Sequence, residues 1–376
     1  MVTLDLRDAL RERGHDARLL ATTAYLGDAR STADYTCFGT TSGLRTANRV
    51  CNAAAHRRLR RVLAEFQPDV VHVRMFMTQL SPAILPLLRD VPAIYHAAWY
   101  ETVCPTGTKL LPDGTICRRA PGRVCRGCLS PQAWTALMVQ RRLLRRWLPA
   151  FDLVVANSDT LLRSLVQHGV GPAVRLYHGV AARPPRPLLA EPPLVAYAGR
   201  LSPEKGVHVL LRAFAALTAL RPDARLLLVG EGPERERLER LAAAAGITDR
   251  VIFTGLLTRA ETEAVLDRAW VQVIPSLLEE PFGLALAEAL MRGTTVVASA
   301  SGGPAELVED GVTGLLVAPG DAQELADAIA GLLGDRRRVE LLGTAGRAWA
   351  LENLDRERFV DRFVELYATV IAGRVA

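Results

Sequence analysis

The apolar positions of this chain fall into short runs whose spacing switches between two periods. Leu4, Leu6, Ala9 and Leu10 recur at helical spacing and predict a helix over 4–13, closed by Gly14. Residues 17–21 then read as a strand, 28–49 as a polar loop, and 53–66 as a basic helix. Buried strands are predicted at 69–73 and 91–96, a helix at 132–148, and further strands at 152–158 and 174–180. Ser158 follows one of these strands and reads as a helix N-cap. Beyond the Pro-rich break at 183–187 come strands at 194–198, 225–229, 251–255 and 271–274, with helices at 207–220, 322–333 and about 356–371. Strands alternating with helices imply parallel sheets, which take ligands at the carboxyl ends of their strands. The break divides the chain into residues 1–187 and 188–376.

One stretch departs from plain patterning. The run Val271, Gln272, Val273, Ile274 ends in Pro275 and Ser276, and Glu279, Glu280, Pro281, Phe282 and Gly283 follow. From Leu284 to Met291 every position is apolar except Glu288. A helix apolar all round is buried on all sides. Pro281 and Gly283 mark its start, and the unpaired N–H groups there, with the helix dipole, suit a phosphate. Glu280 stands at that mouth and Glu288 inside. A lone carboxylate in such a helix needs a partner. It is either paired with a backbone N–H or an Arg, or accepts hydroxyl protons from a polyol such as a ribose.

Glu280 and Glu288, with Pro-Phe-Gly between them, resemble the donor motif of retaining glycosyltransferases of family 4, which have the GT-B fold. The resemblance continues through residues 301–306 and 310–317 and is strongest from about 190 onward. It implies an α/β chain of two Rossmann-like domains facing a cleft, the last helix crossing back to the first domain. The first domain would bind acceptor and the second the nucleotide sugar. By the same resemblance Glu280 contacts the transferred sugar, Glu288 the ribose, and the Gly283 and Leu284 amides the sugar and diphosphate. Phe282 and Gly230 join that substrate-binding set. Arg200 and Lys205, flanking a tight turn after the 194–198 strand, match the family's phosphate-binding pair.

His96 ends a strand, where a lone His is commonly structural; the resemblance makes it a contact of the donor sugar. Ala97 stands where the family has Asp, and His178 where it has Asn. The family also carries a strand and Gly-rich turn ahead of the first helix, about twenty residues that are absent here. A weakly stable first domain is the expected consequence. Gly230-Glu231-Gly232-Pro233 is no dinucleotide fingerprint, because the third Gly is missing.

Composition changes this picture in two places. Of 46 basic residues 44 are Arg, and only Lys109 and Lys205 are Lys, so a Lys at a phosphate turn is informative. The net charge of +6 is uneven: eight Arg and no acidic residue lie between Asp113 and Asp152. Four of them, Arg141, Arg142, Arg145 and Arg146, share the 132–148 helix with Trp134, Leu137, Met138, Leu144 and Trp147. Such a helix either lies on an anionic membrane surface or packs its Leu face inward and solvates its Arg. No apolar run is long enough to span a bilayer, and Asp5 and Arg7 interrupt the start, which gives a cytoplasmic reading, with peripheral attachment to the inner face of the plasma membrane.

Cys104, Cys117, Cys125 and Cys128 form a cluster within an insertion at about 100–130. Four thiolates make a closed tetrahedral zinc site, and the Cys125–Cys128 spacing is that of a knuckle. An iron–sulfur cluster and unligated thiols are the other readings. Cys37 and Cys51 have no partner motif.

The sequence thus predicts a retaining glycosyltransferase that moves a hexose from a nucleotide sugar, UDP- or GDP-linked, to a carbohydrate or lipid-linked acceptor. No catalytic metal is expected, since no Asp-x-Asp arrangement is present to bind one. A nucleotide-sugar 2-epimerase of the same architecture is one alternative. A zinc-organised nucleic-acid-binding protein is another, though the Arg stretch lacks interleaved recognition aromatics.

Overall fold

A computed structural model describes residues 2–25 and 32–375. The chain forms two compact units, residues 1–177 with 357–376, and residues 178–356. The division falls after Tyr177, ten residues before the expected boundary at 187. That break is no free linker. The Arg186 amide donates to the Arg292 carbonyl at 2.9 Å and its Nε to Gly293 at 3.0 Å, which lays the segment onto the second unit.

In chain order the first unit holds α1 (Val2–Glu12), β1 (Leu20–Thr22), β2 (Tyr35–Cys37), α2 (Arg45–Val50), α3 (Ala53–Phe66), β3 (Val71–Arg74) and β4 (Ala93–Ala97). It continues with α4 (Pro131–Trp147), β5 (Leu153–Ala156), α5 (Asp159–Gln167) and β6 (Ala173–Arg175). Strands β3, β4, β5 and β6 pair in that order, all parallel, and β1 pairs with β2 as a separate parallel sheet. Part of the stretch read as a polar loop is therefore β2 and α2. Local signals set the helix starts: Asn52 caps α3 by accepting from the Ala55 amide, and Ser158 caps α5 by accepting from Leu161. Alternation along β4 sends Tyr95 into a core with Phe76, Leu85 and Leu144, and Ile94 into one with Leu6, Val155 and Phe363.

The second unit runs β7 (Leu194–Ala198), α6 (Val207–Leu217), β8 (Arg225–Val229), α7 (Arg235–Ala244), β9 (Val251–Gly255), α8 (Arg259–Leu266) and β10 (Val271–Ile274). After these come α9 (Leu284–Arg292), β11 (Thr295–Ser299), α10 (Pro304–Leu307), β12 (Leu315–Val317), α11 (Ala322–Leu333) and α12 (Arg336–Asn353). Its sheet is parallel throughout, in the order β12-β11-β10-β7-β8-β9. Both faces are covered, so the central strands are mostly apolar; all four residues of β10 are buried, Gln272 included. Strand order reverses between β7 and β10, and the crevice outside the carboxyl ends of such strands is where doubly wound sheets take ligands. The last helix, α13 (Arg356–Val375), places Phe359, Phe363, Leu366 and Val370 on the first unit's sheet beside α1.

Candidate active site

The exits of β7 and β10 meet at the reversal point of the second unit's sheet. Beyond β7 the chain turns through Arg200 and Lys205; beyond β10 it passes Ser276 and reaches Glu280. Lys205 Nζ lies 2.6 Å from Glu280 Oε1, and Ser276 Oγ donates to the same oxygen at 2.5 Å. Glu280 is buried, so this carboxylate is held by a cation and a hydroxyl from two different loops. The Leu277 amide donates to the Glu204 carbonyl at 2.9 Å and ties the loops together. Tyr197 Oη donates to the Arg200 carbonyl at 2.8 Å while the Arg200 side chain is exposed. Burial first, then the charges of Glu280 and Glu204, pushes the Tyr197 phenol well up, so it remains a donor.

Two glycines permit the close approach. Gly206 has φ +69°, and a Cβ there would run into the Pro275 carbonyl. Gly302 has φ +65° and sits against the Glu280 backbone, where the neighbouring Gly303 amide donates to the Glu280 carbonyl at 2.7 Å. Phe282 is buried with its ring edge-to-face on His178, centroids 5.1 Å apart. Gly283 caps α9 in the left-handed region, and Leu284 opens the helix half-buried. The α9 amides thus begin four residues after Glu280. Gly230 packs on the Gly199 carbonyl and donates to Gly255 at 3.0 Å.

Glu288 corrects the expectation of burial on all sides. Leu286, Ala287, Ala289 and Leu290 are buried, whereas the Glu288 side chain keeps 30% of its surface. Arg183 stands 3.7 Å from it and 2.8 Å from Glu263. The Arg partner and an accessible carboxylate are both present. Arg183 and Ser276 were assigned no role in the site from sequence; a Pro-rich neighbourhood hid the first and turn chemistry the second.

In the first unit His96 lies at the end of β4, fully buried, its ring centroid 5.1 Å from Phe363 and 6.2 Å from Phe359. Of the eight Arg between Asp113 and Asp152, Arg141 departs from the solvated expectation. It is buried and donates to the Thr102 carbonyl at 2.8 Å, while Arg142, Arg145 and Arg146 on the same helix are exposed.

The four clustered cysteines are free thiols. Burial raises the Cys128 thiol, and the proximity of Cys104, Cys125 and Cys117 raises it further, so all four lie within electrostatic range. Among the described residues, no group of three or more His, Cys, Asp or Glu is arranged to hold a metal ion.

Two α/β units built on parallel sheets define a fold of the GT-B class. Solved structures agree on the fold. Sucrose-phosphate synthase from Thermosynechococcus elongatus matches 98% of this chain and 92% of its own, with TM-score 0.76 and 24% identity. HepE from Anabaena in complex with UDP matches 98% of this chain and 95% of its own, with TM-score 0.71 and 22% identity. The family model described as Glycosyltransferase Family 4 matches residues 1–183, and Glycosyl transferases group 1 matches 182–349. A GDP-mannose-dependent alpha-(1-6)-phosphatidylinositol monomannoside mannosyltransferase from Mycolicibacterium smegmatis is 35% identical over 281 residues, 69% of this chain and 72% of that protein. The 2-deoxystreptamine glucosyltransferase of Streptomyces kanamyceticus is 39% identical over 157 residues, 42% of this chain and 40% of that protein. The chain belongs to glycosyltransferase family 4 and is a glycosyltransferase.

Proposed function

We propose that this enzyme transfers a hexose, with retention of configuration, from a UDP- or GDP-sugar to a carbohydrate or lipid-linked acceptor. The observation that carries the reading is the meeting of Lys205, Ser276 and Glu280 beside the start of α9, at the reversal point of the donor unit's sheet. Arg200, Lys205 and the Gly283 and Leu284 amides receive the diphosphate and stabilise charge that develops on it as the glycosidic bond breaks. Glu280 orients the sugar and Glu288 accepts from the ribose hydroxyls, with Phe282 and Gly230 shaping the surroundings. His96 is assigned to the donor sugar by the family resemblance. The leaving phosphate takes the acceptor's proton on the same face, so no protein base is assigned. No catalytic metal enters, since the cations are Arg and Lys.

The acceptor class draws on the relatives, one named for phosphatidylinositol monomannoside and one for 2-deoxystreptamine. Exposed Arg118, Arg119, Arg123, Arg126, Arg142, Arg145 and Arg146 favour an anionic membrane surface near a lipid-linked acceptor. No described helix is long and apolar enough to cross a membrane. The reading is a cytoplasmic enzyme held peripherally on the inner face of the plasma membrane. A structural zinc on Cys104, Cys117, Cys125 and Cys128 belongs to it; the thiols do not stand in coordinating positions here, and binding would draw them together.

The test is a thermal-shift panel of UDP, GDP, ADP and dTDP. A ligand at a hundred times its Kd stabilises by about 2.7 kcal/mol, which separates the bases. Turnover of the matching nucleotide sugar, with the product anomer read by NMR, completes it. No shift with any diphosphate at millimolar concentration would refute the reading.

A further inference from the structure

The donor loops leave unused a chain of polar rings in the first unit, His96 buried and His72 and Tyr367 half-buried. His72 on β3 places Nδ1 2.6 Å from the Tyr367 hydroxyl of α13 and Nε2 3.2 Å from His96 Nδ1. The two imidazole centroids are 5.2 Å apart, and Phe363 packs on both, 4.9 Å from His72 and 5.1 Å from His96. Phe363 and Tyr367 are one turn apart on α13, so one helix face supplies both the packing wedge and the phenol.

We propose that Tyr367 and His72 are positioning residues that hold His96 in its Nε2–H tautomer and in a single ring orientation. This rests on the reading of His96 as part of the sugar site. A neutral imidazole has one N–H and one lone pair, so the partner of one nitrogen decides what the other offers. His72 is neutral at working pH, because burial, and then the charge of Arg74, pushes its pKa down to about 3. Burial also raises the Tyr367 phenol, which therefore keeps its proton. A phenol donates more strongly than it accepts, so Tyr367 donates to His72 Nδ1. His72 then carries its proton on Nε2 and donates it to His96 Nδ1. With Nδ1 accepting, His96 holds its own proton on Nε2, the neutral donor that its proposed role in the sugar site requires.

Nitrogen shifts of the full chain labelled with 15N-histidine, assigned through His96→Ala and His72→Phe, read the tautomer without any ligand. The expected result is protonated Nε2 and unprotonated Nδ1 at His96. In Tyr367→Phe, which removes one hydroxyl, His96 becomes a mixture of tautomers. Release of nucleoside diphosphate from UDP-glucose or GDP-mannose then slows by about tenfold in kcat, as loss of a partner behind an active imidazole does, with donor KM unchanged. An Nδ1–H tautomer in the wild-type protein overturns the inference. So do unchanged shifts, or unchanged kcat, in Tyr367→Phe when His96→Ala is impaired; the His96 reading then stands. Full activity in His96→Ala overturns both.

Discussion

Lys205 and Glu280 meet on a single carboxylate oxygen, Nζ to Oε1 at 2.6 Å, although 75 residues separate them in the chain. The contact joins the exit of β7 to the exit of β10. Ser276 donates to the same Oε1, so two donors fix the carboxylate plane before any ligand arrives. Under the proposed function a diphosphate would compete with Glu280 for the Lys205 ammonium, with Ser276 left to hold the carboxylate while the cation changes partner.

Removing either cation should act on the transition state. Lys205→Ala and Arg200→Ala are each expected to lower turnover by about a hundredfold or more, the usual effect of losing a donor to a developing anion. Lys205→Arg should not restore it, because a planar guanidinium does not replace a compact ammonium at this tight turn. Steady-state kinetics with the cognate donor measure this. Wild-type kcat in both Ala variants would remove these residues from the site.

Much of the second unit was legible because its marked residues are local in sequence. Glu280, Gly283 and α9 lie in one run, and α11 was placed at its observed bounds, Ala322–Leu333, by spacing alone. The parallel sheet followed from apolar strands alternating with helices. What escaped depends on distant contacts. His72 and Tyr367 lie 295 positions apart, and nothing in either local pattern marks them. Arg141 looked like its exposed neighbours, but its stem falls on the face carrying Leu137 and Leu144, and the Thr102 carbonyl takes its charge inward. The 18 residues of α12 went unread, Gly343 and Gly346 interrupting the helical signal. Those glycines are there for packing: a Cβ on either would strike backbone at Gly293 or Thr313.

Glu288→Gln should act on binding rather than on chemistry. An amide keeps one acceptor but loses the charge that raises the worth of a hydrogen bond from about 0.5–1.5 to about 1.5–3 kcal/mol, a difference of about 1–1.5 kcal/mol. The donor KM is expected to rise about tenfold at nearly constant kcat, by the same conversion. Arg183→Ala should have a smaller effect of the same kind, since Arg183 is 3.7 Å from Glu288 and closer to Glu263. Calorimetric titration with the nucleoside diphosphate checks both, and unaltered affinity in Glu288→Gln would end its ribose role.

The cysteine element makes an elemental prediction. Protein purified without chelator is expected to carry about one zinc per chain, as a four-thiolate site does. Cys125→Ser or Cys128→Ser should release it together with solubility, while Cys51→Ser should not, since Cys51 is exposed and outside the cluster. Absence of metal by mass spectrometry, with all four thiols titratable in native protein, would eliminate the site.

Glu101 gives a prediction with a definite sign in pH. It is buried beside the Cys element, and burial raises its carboxyl from the ordinary 4.5 to about 7 against the opposing Met77 amide and the Arg49 and Arg74 charges. The folded chain therefore holds a proton that the unfolded chain has released between these values. Stability falls as pH rises through that window, because the folded state binds more protons there. The cost reaches about 3 kcal/mol above the folded pKa, at 1.36 kcal/mol per unit. Glu101→Gln removes it, so the variant should match wild type near pH 4.5 and gain relative stability up to neutrality. His72 runs the other way, its folded pKa lying below 6.5, so wild type alone shows a blunted profile. The difference between Glu101→Gln and wild type cancels the His72 contribution, which both share. Urea unfolding of the two proteins from pH 4.5 to 8 measures that difference. A gap that stays constant across the range would show that Glu101 is ionised in the folded protein throughout, with Arg49 and Arg74 outweighing its burial.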